Sequence, residues 1–213
     1  MRKVNVVIVG TGGQGVITLR RLIEFAAFKD GVDMILGTEK LGLSQREGAL
    51  DCCCRFLIKE PGEVVDERDS LLSPTVCYGD ADVLIALEPA EALRNAKYAS
   101  EKTVFIVNEH TIPPVTVWAE MATYPPLEDI LSSLREFSDK VISLNATKIA
   151  EGEVGDAQKA NVVLLGAALA VGALPVSYES VKQTIEEEMR DVEQNLKALE
   201  LGYRWVKTNW NPP

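Results

Sequence analysis

A chain of 213 residues, 46% hydrophobic and 25% charged, has enough apolar mass to bury a substantial core, which excludes disordered and collagen-like classes. Its formal net charge is −10, and no block of Lys or Arg interrupts the acidic surface, so a nucleic acid is excluded as a partner.

The opening MRKVNVVIVG has a charged end and an apolar run only a strand long, which meets glycines where a leader would carry a small-residue cleavage site. Val4 to Val9 is therefore expected as a first strand buried on both faces, in a chain that stays in the cytoplasm with reduced thiols. The turn GTGGQG follows. Val16, Leu19, Leu22, Ile23, Ala26 and Ala27 then recur at helical spacing up to Gly31. DMILGT is a second strand, the polar loop EKLGLSQREG follows, and ALDCCCRFLI is a third; with no helix between them, these two form an antiparallel pair. GDADVLIALEP is a fourth strand, ending where AEALRNAKY turns helical, and KTVFIVN is a fifth. In EHTIPPVTVW the paired prolines impose an extended path, and VTVW is expected as an added edge strand. A helix through LEDILSSLREF leads to a sixth strand, KVISLNA.

Beyond Ala157 the pattern is helical. Asn161 to Leu174 is apolar nearly all round and too short to cross a bilayer, so a membrane partner is not expected. Val181, Ile185, Met189, Val192, Leu196 and Leu199 form a core-facing stripe at steps of three and four, with Glu186 to Glu188 on the solvated side and Ser177 or Ser180 as the cap. Strands interleaved with helices predict an α/β fold: three layers, α/β/α, with an open, mostly parallel sheet that starts like a Rossmann fold and a helical C-terminal part. Residues 1–156 make the α/β core with its glycine-rich phosphate loop. Residues 157–213 make C-terminal helices and an aromatic tail packed on the same domain.

Gly10, Gly12 and Gly15 match G-x-G-x-x-G between a strand and a helix, where orphan N–H donors and a partial positive charge suit a phosphate. Gly13 and Gln14 make this loop more open than a nicotinamide loop. Glu39 is the acid that a ribose would need near the end of the second strand. Ser44, Gln45 and Arg46 cluster donors on the second loop, where the Arg46 guanidinium suits a ligand phosphate or carboxylate and equally well an ion pair with a nearby carboxylate of the chain. His110, the one histidine, lies in a loop with no triad signature around it, and is read as a loop residue and not a general base. Asn108 and Asn145 end apolar strands, where they serve equally well as ligand contacts or as turn formers. Cys52, Cys53 and Cys54 are adjacent and match no metal-ligand spacing; on a strand they fill the core as small hydrophobes.

The segments VNVVIVGTGGQGVITLRRLI, LGLSQREGAL, ADVLIALEPAEALRNAKY, VFIVNEHTIPP, NVVLLGAALAVGALPVS and VEQNLKALELG, in that order, resemble the gamma-type domain of the 2-oxoacid:ferredoxin oxidoreductases. Within that family the chain looks most like the small subunit of the indolepyruvate type. The resemblance implies an accessory subunit with no catalytic residue and no tightly bound cofactor of its own. It further implies a large partner carrying thiamine diphosphate and 4Fe-4S clusters, which decarboxylates a 2-oxoacid, reduces ferredoxin and passes the acyl group to coenzyme A. Gly10, Gly12, Gly13, Gln14 and Gly15, with Ser44, Gln45 and Arg46, carry over as the family's two loops, which border the coenzyme A region. The family commonly has His-Gly-Met before that tripeptide and Gly-Gly after it; here Leu41-Gly42-Leu43 precede and Glu47-Gly48 follow, which sets a negative charge beside the anion site. The Ala/Gly-rich helix from Asn161 and the tail with Trp205 and Trp210 are expected either to contribute subunit contacts or to pack within the chain. An autonomous dinucleotide-dependent oxidoreductase and a nucleotide-binding module are the competing classes.

Overall fold

The computed structural model describes residues 1–42, 48–59, 62–63 and 71–211. Its centre is a six-stranded sheet in the order β2-β3-β1-β4-β5-β6. Strand β1 (Arg2–Thr11), buried from Val4 onward, pairs parallel with β4 (Val83–Ala86), which pairs parallel with β5 (Val104–Asn108), and that with β6 (Val141–Leu144). On the other side β3 (Ala49–Ile58) runs antiparallel to β1, from Arg2 opposite Ile58 to Thr11 opposite Ala49, and β2 (Met34–Leu41) runs antiparallel to β3 at the edge. The antiparallel pair is the one expected from the missing helix. Its insertion beside β1 puts β2 two strands away from the glycine turn.

Helices cover both faces. Residues of α1 (Val16–Lys29), α6 (Ala160–Val171), α7 (Tyr178–Glu188) and α8 (Val192–Asn209) close one core against the sheet. Residues of α2 (Pro89–Arg94) and α4 (Leu127–Arg135) close the other. The three-layer α/β/α architecture is thus the expected one. Cys52 and Cys54 face the first core and Cys53 the second, as alternation along a strand requires. Burial pushes the Cys52 thiol up to about 12 and Cys54 well above its ordinary value. Because the native state keeps its proton on Cys52 while the unfolded thiol releases it near 9, stability falls as pH rises from about 9 to about 12. In a thiol titration at pH 8, exposed Cys77 is expected to react at once, and the three strand cysteines only after denaturant is added.

One expectation needs correction. Val115–Trp118 is a short helix, α3, and not an edge strand: β-branched and aromatic residues favour a strand by packing on a half-buried pleated surface, and none of these four residues is buried. Of the two readings of the helix from Asn161, packing within the chain is the one observed. Residues 160–170 are all buried within the chain, because α6 lies between the sheet and α8, which is why it is apolar all round. The C-terminal stripe belongs to two helices. The chain turns extended at Met189 and left-handed at Asp191, and the Asn195 amide bridges the break by donating to the Arg190 and Asp191 carbonyls. Ser177 caps α7 by accepting from the Ser180 N–H, and Asp30 at the end of α1 accepts from both Ser177 and Ser180. Trp205 and Trp210 are half-buried against the first core.

Candidate functional site

The C-terminal ends of β1, β4, β5 and β6 form one edge of the molecule, and in open α/β sheets ligands bind beyond that edge. The glycine turn sits there. Gly10 pairs with Leu50 one residue before β1 ends at Thr11, and Gly15 caps α1 with a φ of 82°, in the left-handed region. A Cβ on Gly15 would lie 2.3 Å from Nδ2 of Asn161, which donates to the Gly15 carbonyl at 3.3 Å. Glycine is required here twice over, by the turn and by the approach of α6.

Much of the turn's hydrogen-bonding capacity is used internally. The Gln14 side chain folds back: its Oε1 accepts from the Thr11 N–H at 2.7 Å and its Nε2 donates to the Leu87 carbonyl at 2.9 Å, tying the ends of β1 and β4 together. The Gly12 N–H donates to the Gly48 carbonyl at 2.9 Å. No partner among the described residues takes the N–H groups of Gly13 and Gly15, which stand with the first turn of α1 as the donors available to an anion.

Ser44, Gln45 and Arg46, with Glu47, lie outside the described residues. The ends of their loop are placed: Gly42 donates to the Ala49 carbonyl, and Gly48 sits against Gly12. The two family loops therefore start from the same edge. Glu39 does not take the role of a ribose acid. Strand β3 occupies the place next to β1, so Glu39 stands about 10 Å to the side, opposite Cys52 and 3.6 Å from the Arg20 guanidinium.

Two clefts open at this edge. The smaller, about 170 Å³, is bounded by Gly13, Gln14, Asn108, His110, Thr147 and Gln158. Asn108 is structural: it is buried, its Nδ2 donates to the Leu87 carbonyl and to Thr147 Oγ1, and its Oδ1 accepts from the Thr147 N–H. Asn145 caps α5 (Ala146–Ile149) by accepting from the Lys148 N–H. His110 is exposed, and no hydrogen bond among the described residues orients its ring.

The larger cleft, about 440 Å³, holds residues that sequence reasoning passed over: Thr11, Glu88, Glu91 and Arg94, facing Ile112 and Pro113. Glu88 is 2% exposed and accepts three hydrogen bonds, from the Glu91 N–H that it caps, the Ile112 N–H and the Tyr124 hydroxyl. Burial and that carboxylate push the Tyr124 phenol up. Burial raises the Glu91 carboxyl, against the opposing pull of its ion pair with Arg94. The available signal was the spacing of Glu88, Pro89 and Glu91 after an apolar strand, a helix-start pattern. Thr11 Oγ1 is buried without a partner among the described residues. Thr11→Val, which keeps the shape and removes that hydroxyl, is expected to raise the unfolding free energy of the isolated chain by about 1 kcal/mol. A loss of stability in chemical denaturation would show that the hydroxyl is engaged.

The described residues bring together no group of three metal-ligating side chains, and no acid, base and nucleophile converge in either cleft. No helix among them is long and apolar enough to cross a membrane.

The sequence profile described as pyruvate ferredoxin/flavodoxin oxidoreductase matches residues 5–205. The chain is 38% identical, over 94% of its length and 94% of the other's, to the indolepyruvate oxidoreductase subunit IorB of Archaeoglobus fulgidus. Among solved structures, the gamma subunit of a keto/oxoacid ferredoxin oxidoreductase from Geobacter sulfurreducens superposes with a TM-score of 0.66 at 22% identity, covering 96% of this chain and 99% of that one. A 2-oxoglutarate:ferredoxin oxidoreductase from Magnetococcus marinus, with 2-oxoglutarate, coenzyme A and succinyl-CoA bound, superposes with a TM-score of 0.69 at 16% identity; the match covers all of this chain but 32% of that longer one.

Proposed function

Since the chain belongs to the pyruvate ferredoxin/flavodoxin oxidoreductase family, we propose that it is the small, non-catalytic subunit of a cytoplasmic 2-oxoacid:ferredoxin oxidoreductase acting on indolepyruvate or a related aryl 2-oxoacid. The observation that carries this reading is the near full-length likeness to a named indolepyruvate oxidoreductase subunit. Thiamine diphosphate and 4Fe-4S clusters belong to a larger partner. The cysteines of this chain do not fit a cluster, since three of them alternate across β3 with protonated, buried thiols and Cys77 stands apart.

This chain's own contribution is a wall of the coenzyme A site. Gly10 and Gly12 set the turn and Gln14 locks it, so that the Gly13 and Gly15 N–H groups and the first turn of α1 face a phosphate, with Ser44, Gln45 and Arg46 as side-chain donors from the neighbouring loop. Coenzyme A, when bound, supplies the thiol that accepts the acyl group. The residues here hold its anionic part and leave the reacting atoms to the partner. The displaced Glu39 argues against the dinucleotide alternative. Affinity purification from the native host tests the reading: a large iron-sulfur protein is expected to co-purify, and the purified material to oxidise aryl 2-oxoacids in a coenzyme A-dependent way. Saturable NAD(P)H or flavin binding with turnover by the chain alone would overturn it.

A further inference from the structure

Between β5 and α4 the chain leaves the body of the molecule at Ile112 and returns at Tyr124. Both ends of this excursion are held by one carboxylate: buried Glu88 accepts from the Ile112 N–H and from the Tyr124 hydroxyl. At its tip α3 is closed by hydrogen bonds from Glu120 N to the Val117 carbonyl and from Met121 N to the Thr116 carbonyl, with Glu120 at a φ of 56°. A non-glycine residue in that conformation is strained, and such strain gathers at functional elements. Trp118 is fixed as well, since its indole N–H donates to the Pro113 carbonyl at 3.0 Å. All this rigidity holds apolar groups in water: Val115 is 77% exposed, Trp118 76% and Met121 79%.

From these observations we infer that the 112–124 loop is the docking element of the small subunit, which seats Trp118 and Met121 in an apolar, basic-rimmed groove of the large catalytic subunit. The inference rests on the subunit reading given above. A pinned neck, a strained tip and a locked indole lower the ordering entropy that binding normally costs, as suits an aromatic anchor. The loop rises from the same edge as the glycine turn, and Pro113 and Val115 line the larger cleft, so a partner that shares a ligand at this edge must cover it. In the Magnetococcus marinus enzyme the same fold is 32% of a single longer chain, so there it is joined to a larger polypeptide. Glu120 is the one charged residue of the 112–124 loop, and Asp129 follows on α4; both are exposed and carry no ion pair among the described residues, whereas Glu128 is paired with Arg135, so the unmatched charge here is acidic and asks for Lys or Arg on the other side. A second copy is disfavoured as the occupant, because it would bring together two chains that each carry a net charge of −10.

The test is the affinity of the full-length chain for the purified large subunit. Trp118→Ala combined with Met121→Ala is expected to weaken binding at least about tenfold with an unchanged unfolding midpoint, while Phe28→Ala, at an equally exposed site on α1, stays within about twofold. Should the double variant fold poorly, Met121→Glu carries the test, since it removes no buried contact and must still weaken binding. Equal binding by wild type and variants, or an equal loss in Phe28→Ala, would overturn the inference alone. Failure of the wild-type chain to bind the large subunit would overturn the subunit reading and the inference with it.

Discussion

Gly202→Ala is expected to lower the unfolding free energy by about 3 kcal/mol, at the upper end of what overpacking costs. A Cβ on Gly202 would stand 1.8 Å from the Val163 carbonyl oxygen and 3.1 Å from the Ala167 nitrogen. Gly166 meets the reverse situation, 2.0 Å from the Leu199 carbonyl oxygen and 2.9 Å from the Tyr203 nitrogen. Helices α6 and α8 therefore cross with their backbones in contact, and the obstacle is main chain, which cannot rotate aside as a side chain can. A methyl at either position must push the helices apart and loosen Val162, Val163 and Leu199, all fully buried. Gly152→Ala, with no atom within 4 Å of the added carbon, is the matched control and is expected to change stability by less than about 0.5 kcal/mol. Urea denaturation reads both. A Gly202→Ala midpoint close to wild type would mean that the two helices do not meet in this way.

Gly15→Ala is expected to cost about 2 to 3 kcal/mol, from two separable sources. Alanine in the left-handed region accounts for about 1 kcal/mol. The remainder comes from the 2.3 Å approach of the Asn161 amide, which is buried and held by its bond to the Gly15 carbonyl. A double-mutant cycle separates the terms. With Asn161→Ala already present, Gly15→Ala should cost only the backbone term of about 1 kcal/mol. Strictly additive effects would show that Asn161 is not what Gly15 makes room for. Because Gly15 also caps α1 beside the proposed anion site, the same variant is expected to weaken coenzyme A binding in the assembled enzyme.

The sheet was legible in the sequence because its signals are local. The Val- and Ile-rich run before GTGGQG specifies a central strand, and alternation across Cys52, Cys53 and Cys54 follows from strand geometry alone. Pairing order is not local: nothing in DMILGT or ALDCCCRFLI says that the second of them inserts beside β1, and that insertion is what takes Glu39 away from the turn. Val115–Trp118 misled for the same reason, since its β propensity has meaning only where its side chains pack on a sheet, and here none of them is buried. The glycine turn was found by its motif, but the folding back of Gln14 onto Thr11 and Leu87 depends on where β4 ends. Glu88 was missed because a lone acid before a proline reads as a helix start; its second role, closing the neck of a distant loop, appears only in three dimensions. The apolar helix from Asn161 was readable as buried, but which surface buries it was not.

Reconstitution tests the central claim most directly. The purified chain, the purified large subunit and their mixture are each assayed for coenzyme A-dependent reduction of ferredoxin by indolepyruvate. Turnover is expected from the mixture, none from this chain, and little from the large subunit alone. Full activity of the large subunit without this chain, or turnover by this chain without the large subunit, would contradict it.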